Sequence, residues 1–342
     1  MKKMTTALTL MLGLNLLAPL GVSAQEDFSI MMVTDVGGID DKSFNQGAWE
    51  GMQRWGEEHG IEQGTDGYEY LHSQDDSDYA TNLSTAANFS PDIVFAIGYA
   101  LQPYVEEAAK QYPDQQFGMI DSTVDLPNVA SLNFADEEAA FLAGVAAAET
   151  TQTDKVAFLG GVEGVVIDKF EAGFVAGVKA VNPDITVLVQ YAGSFVDASK
   201  GRTIAASFFS SGADVIFHAS GPTGNGAFAE AKDLMKQDDS RNLWIIGVDS
   251  DQSAEGEYTV DGETKTVHLT STLKNTGNVI QNFSNQTMEE GFINGEQWFD
   301  LSNDGVGLAD GQLSDDLQKE IAGYKVKIVD GTIEVPDKPA EQ

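Results

Sequence analysis

The sequence predicts an α/β protein of two lobes, each a parallel sheet flanked by helices. Three observations carry this. Short apolar runs alternate with stretches of helical spacing; nearly every run ends in Asp, Gly or Ser; and the series starts twice, at residue 28 and again after residue 133, with a similar layout. In such sheets ligands bind beyond the carboxyl ends of the strands, so the residues just past each run become the candidates for function.

Residues 28–33 form the first strand, which ends in Thr34-Asp35 and turns through Gly37-Gly38. Asp40, Asp41, Ser43, Phe44 and Asn45 follow, and Trp49, Met52 and Trp55 begin a helix on one apolar face. The first series continues with strands over 68–71, 92–97, 117–120 and 129–134 and helices over 78–88 and 103–111. The second series has strands over 155–159, 185–190, 214–217 and 243–248. Its helices cover 137–149, 165–181, 199–210 and 223–236. In the first of these helices Gly144 allows close packing. Phe170, Phe174 and Val178 recur every four residues along the second. The C-terminal part reads as a strand over 264–271, a helix over 273–290, strands over 303–308 and 324–329, and a last strand over 333–335 after Gly331.

The first residues look like an export signal. Lys2-Lys3 precede an apolar stretch over 8–20, and Val22-Ser23-Ala24 offers a small-x-small cleavage site. The apolar run is too short and interrupted for a membrane anchor. The chain contains no cysteine, so disulfides, thiolate metal sites and a lipid-modified cysteine are excluded. A periplasmic protein with no lipid anchor is the expectation. Acidic residues number 54 against 19 basic, a formal net charge of −35. No basic footprint exists to neutralise phosphates, which excludes nucleic acid as a partner.

Asp35, Asp121, Phe195, Gly221 and Asp249 all stand at strand ends or in the loops after them. Each carboxylate alone reads equally well as a helix cap or turn former. Convergence on one cleft gives them a shared purpose. Phe44 and Phe195 are loop aromatics, one from each lobe, able to sandwich a flat ring, with Tyr191 a nearby competitor for the second place. Carboxylates add acceptors for ring N–H groups or sugar hydroxyls. Gly160-Gly161-Val162-Glu163-Gly164 follows a strand but lacks the spacing and the Lys-Ser/Thr of a phosphate loop. His59, His72, His218 and His268 are scattered, and only His218 falls at a strand end near the cleft. None sits beside a nucleophile, so no catalytic residue is assigned. The early aspartates Asp35, Asp40 and Asp41 leave a nucleoside-cleaving hydrolase as an alternative.

Residues 34–46, TDVGGIDDKSFNQ, resemble the signature of the basic membrane protein family of substrate-binding proteins, which includes the purine nucleoside receptors of ABC transporters. Ile120-Asp121, the segment Phe170-Glu171-Ala172-Gly173-Phe174, Gly247-Val248-Asp249-Ser250-Asp251-Gln252 and Ser271-Thr272-Leu273-Lys274 extend the likeness. The resemblance implies a type I periplasmic binding protein, with two Rossmann-like lobes joined by three crossings. It divides the chain into a signal peptide (1–24), a first lobe (25–133 plus 270–294), a second lobe (134–269 plus 295–336) and a flexible tail (337–342). It implies a nucleoside whose base is stacked between Phe44 and Phe195. Asp35 and Asp121 would bind the base and its surroundings, Asn45 is a further ligand-binding residue, and Asp249 and Lys274, helped by Gly221, would hold ribose hydroxyls. Lys274 opens the helix expected over 273–290, where the dipole disfavours a cation, which favours a functional reason for it. No metal or cofactor is implied. The implied partner is an ABC permease in the membrane, and the expected state is a monomer. A sugar or another small polar solute is the alternative ligand.

Overall fold

The computed structural model describes residues 28–340, so the expected signal peptide and the last two residues of the expected tail lie outside it. The first series is β1 (Ile30–Val33), α1 (Phe44–His59), β2 (Tyr68–Leu71), α2 (Tyr79–Phe89), β3 (Ile93–Ile97), α3 (Gln102–Gln111), β4 (Gln116–Ile120) and β5 (Val129–Phe134). The second begins with α4 (Asp136–Thr150), β6 (Lys155–Gly160), α5 (Val165–Val181) and β7 (Thr186–Tyr191). It goes on through α6 (Ala198–Ser210), β8 (Val215–Ala219), α7 (Pro222–Gln237) and β9 (Trp244–Gly247). The turn α8 (Ser253–Gly256) leads into a hairpin of β10 (Glu257–Val260) and β11 (Glu263–Thr266). Then come β12 (His268–Lys274), α9 (Thr276–Glu290), β13 (Gly295–Phe299), β14 (Val306–Leu308) and α10 (Asp315–Val329).

Two six-stranded sheets result, in the orders β13-β5-β4-β3-β1-β2 and β14-β12-β9-β8-β6-β7. Every pairing in them is parallel except β12 with β14. Central strands such as β1, β3 and β8 are buried at every position, as parallel strands covered on both faces must be. In the first lobe α2 and α3 cover one face and α1 and α9 the other; in the second, α6 and α7 oppose α4 and α5. Helices α4 and α5 touch backbone to backbone. A Cβ at Gly173 or Gly177 would run into the carbonyls of Glu137 or Phe141, and one at Gly144 into that of Phe174. This contact fixes α4, and with it the residue that opens it, on the second lobe.

The chain passes between the sheets three times, from β5 to α4, from β12 to α9, and from β13 to β14. These passages correct the expected lobe boundaries. β12 belongs to the second sheet through its last residue, since Lys274 pairs with Val306, while β13 adds to the first sheet beside β5. The exchange therefore falls after residue 274 and after residue 299, not at 270 and 294. Lys274 accordingly ends a strand, and the helix starts at Thr276, so the dipole argument for it does not apply.

Residues 324–329 are helical, not a strand. Tyr324, Val326 and Ile328 alternate with lysines, but Leu317, Ile321, Tyr324 and Ile328 also share one helical face. Ser314 caps that helix on Leu317 N–H, and Val326 is left 62 % exposed. Residues 333–335 are irregular. The strand expected over 264–271 is two strands, and the hairpin partner β10 is an element the sequence reading lacks. Its signal is Asp261-Gly262, whose positive φ values (52° and 83°) make the tight turn.

Candidate functional site

Asp35, Phe44, Asn45, Asp121, Phe195, Gly221, Asp249 and Lys274 all line one cavity of about 360 Å³ between the lobes. In the first lobe the segments after β1, β2, β3 and β4 line it; in the second, the segments after β6, β7, β8 and β9, the start of α5 and the last residue of β12 do. Asp121 and Asp249 leave their strands through left-handed backbone, both at φ 66°, a conformation Asp tolerates better than most side chains. Gly221 has φ 53° and ψ −140°, a combination open to glycine, and it lets the chain turn into α7 beneath Phe195.

The loop after β1 is built around Asp41. Its carboxylate accepts from the backbone N–H groups of Ser43 (2.9 Å), Asn45 (2.8 Å) and Gln46 (3.1 Å) and from Asn45 Nδ2 (2.9 Å). It thereby caps α1 from outside the usual cap position, where Ser43 makes no cap bond. Ser43 instead donates its hydroxyl to Asp249 Oδ2 at 2.7 Å in the other lobe, and Gln252 Nε2 donates to Lys42 O at 3.0 Å. Asp41→Ala is expected to destabilise the protein by about 1–2 kcal/mol, the worth of a strong helix cap. A urea melt with an unchanged midpoint would contradict that role.

Asn45 is oriented by two carboxylates, its Nδ2 donating to Asp35 Oδ1 (2.7 Å) as well as to Asp41. Its Oδ1 has no partner among the described residues. Asp35 also accepts from Gly37 N–H at 2.8 Å. Burial outweighs these bonds and pushes its pKa up to about 6. Asp249 is pushed up to about 6 for the same reason, against the pull of Lys274 and Ser43.

Lys274 is the cation of the site, with a side chain only 3 % exposed. Its ammonium meets both oxygens of Asp121 (2.9 and 2.7 Å) and lies 3.0 Å from Asp136. Burial pulls its pKa down, but Asp121, Asp136 and Asp249 together hold it above the ordinary value. The rings of Phe44, Phe134 and Phe170 stand 5.2, 5.2 and 5.5 Å from Nζ. Both Asp121 oxygens accept from the ammonium, while Asp136 Oδ1 lies within ion-pair distance of it without a hydrogen bond. The cavity therefore meets Lys274 as a charge already balanced, which disfavours an anionic occupant.

The cavity wall includes residues that the sequence reading does not single out. Tyr99 follows β3 through Gly98, the same strand-end signal that marks the aspartates, and burial beside Asp35 and Asp121 pushes its hydroxyl up to about 12. Phe170, whose spacing marks it as a packing residue, also lines the cavity, as do Asp76 and Tyr79. Tyr191, the competitor of Phe195, does not line it. Its hydroxyl donates to Glu171 at 2.6 Å, and its ring covers Gly160. His218 is fully buried within β8, packed against Gly224 and Phe228, and does not line the cavity. Among the described residues no group of His, Cys, Asp or Glu is arranged to hold a metal ion, and no helix is long and apolar enough to cross a membrane.

Residues 28–339 match the family model Bmp, described as ABC transporter substrate-binding protein PnrA-like. The chain belongs to this family. The Bmp-family protein is 50 % identical over 92 % of its length to a CD4+ T-cell-stimulating antigen of Listeria innocua, covering 90 % of that protein. It is 43 % identical to the ABC transporter nucleoside-binding protein BmpA of Lactococcus lactis, covering 91 % of this chain and 90 % of that one. Basic membrane protein A of Borreliella burgdorferi is 34 % identical over 88 % of this chain and 85 % of its own. In fold the Bmp-family protein is similar to an ABC transporter solute-binding protein from Aeropyrum pernix K1. The TM-score is 0.80 at 24 % identity, covering 92 % of this chain and 94 % of that one. It is thus a substrate-binding protein of the ABC transporter class with a periplasmic-binding-protein fold.

Proposed function

We propose that the protein captures a nucleoside, with a purine as its base, between the two lobes outside the cytoplasm and presents it to an ABC permease. One observation carries the reading. A single interlobe cavity is lined by an aromatic ring from each lobe, Phe44 and Phe195, together with the acceptors of Asp35, Asn45 and Asp249 and a lysine whose charge is already balanced. That combination suits a neutral ligand with a flat ring and several N–H or O–H donors. The name of the Lactococcus relative points the same way. Closure of the lobes would bury the ligand and form a composite surface for the permease, driven only by contacts made in the closed state. The protein acts as a monomer and carries out no chemistry on its ligand.

A thermal-shift screen with adenosine, guanosine, inosine, uridine and ribose tests this. A bound nucleoside at 100 times its Kd should stabilise the fold by about 2.7 kcal/mol. The purine nucleosides are expected to raise the melting temperature and ribose to leave it unchanged. A shift with ribose alone would move the reading to a sugar-binding protein. Free base appearing on incubation with inosine would make the protein a hydrolase.

A further inference from the structure

Asp136 does not line the ligand cavity, yet its side chain is only 2 % exposed and lies 3.0 Å from the Lys274 ammonium. It opens α4 just past the first passage between the sheets, and Lys274 closes β12 just before the second. α4 is held on the second lobe by its glycine contact with α5 and packs against β12 and β14. Asp121 hangs from β4 in the first lobe. Two members of this buried triad thus move with one lobe and the third with the other. The three rings around Nζ can tolerate a cation but give its donors no direction. Without Asp136 the ammonium's close ion pair would be with Asp121 of the first lobe, with Asp249 of the second acting on it less strongly, so it would follow the first lobe or lose its pair when the lobes part, at the cost of a poorly paired buried charge.

We propose that Asp136 is a positioning residue that anchors Lys274 on the second lobe, so that the ammonium reaches across the cleft to Asp121 and sets the charge that a ligand's hydroxyls meet on closure. Only the effect on affinity rests on the nucleoside reading; the anchoring of the lysine does not.

The test uses the full chain, wild type and Asp136→Asn, with two readouts. In the ligand-free protein, reductive methylation followed by peptide mass spectrometry reports access to Lys274. The variant should be labelled about tenfold faster at Lys274, with Lys232 on α7, itself partly buried and bonded to Glu255 O, unchanged as an internal reference. An unchanged Lys274 rate, or equal acceleration at both lysines, would overturn the proposal. Calorimetry with the nucleoside chosen by the screen should show affinity about tenfold weaker in the variant, as expected for a misplaced charged group. Unchanged affinity would overturn the proposal as well. If the wild type binds no nucleoside, the nucleoside reading fails and the labelling readout alone decides the anchoring. Should Asp136→Asn fail to fold, Asp136→Ser, which removes the charge and suits a helix start, takes its place.

Discussion

Lys274→Met should melt well below the wild type at neutral pH. Methionine keeps most of the stem and its packing, so the variant removes the charge with little change in volume. What remains is Asp121 with a side chain 5 % exposed, Asp136 at 2 %, and Asp249 close by, all without their cation. Breaking a buried ion pair by removing one partner costs about 3–5 kcal/mol, because the other charge stays buried and unpaired. For a chain of this size that corresponds to a drop of roughly 10 °C in melting temperature. The deficit has a defined pH dependence. Burial already pushes Asp249 up to about 6 against the pull of Lys274, and loss of Lys274 raises it further. A carboxylate whose folded pKa exceeds its unfolded one makes the native state bind more protons. Its penalty is absent below the unfolded pKa and grows as pH rises toward the folded one. The gap between variant and wild type should therefore narrow on acidification from neutral pH. A variant melting within about 2 °C of wild type at pH 7 would show that the triad does not stabilise the fold.

Asp249→Asn should weaken nucleoside binding by one to two decades, about 1.5–3 kcal/mol for a hydrogen bond to a charged group. Asparagine is chosen because Asp249 sits at φ 66°, which Asn tolerates and Ala does not. Wild-type affinity should itself depend on pH. Asp35 and Asp249 are both pushed up to about 6 by burial, so near that pH much of the free protein carries them protonated. A ligand that donates hydrogen bonds to the ionised forms lowers their pKa in the complex. Binding therefore releases protons, and affinity rises with pH until it levels off above about 6. In Asp249→Asn the rise should be shallower, since Asp35 alone remains to titrate. Calorimetry between roughly pH 5 and 7.5 reads both effects. Equal affinity for variant and wild type at the upper pH would remove Asp249 from the ligand's contacts.

Much of this molecule is legible in its amino-acid sequence. Short continuous apolar runs, helices with a period of 3.6 and the Asp and Gly that end each run are local properties, and they locate the strands whose loops line the cavity. Where local signals compete, they mislead. Residues 324–329 satisfy both a strand alternation and a helical face, and the cap at Ser314, well upstream in the chain, decides for the helix. Lys274 reads as a helix residue because its strand is short of local signals; its pairing with Val306 is what makes it a strand residue. Asp136 looks like an ordinary acid in a first helical turn, where the dipole alone would justify it.

The sequence by itself determined the two-lobed α/β class, the acidic character, and the family signature in residues 34–46 that places Asp35, Phe44 and Asn45 in one strand-to-helix segment. Each depends on residues close together in the chain. Only the tertiary structure decided which sheet receives β12 and β13, that Ser43 reaches Asp249 across the lobes, and that Lys274 is balanced by Asp121 and Asp136. Lys274 and Asp121 lie 153 residues apart. A contact of that range is set by how the chain passes between the sheets, and no local pattern encodes that route.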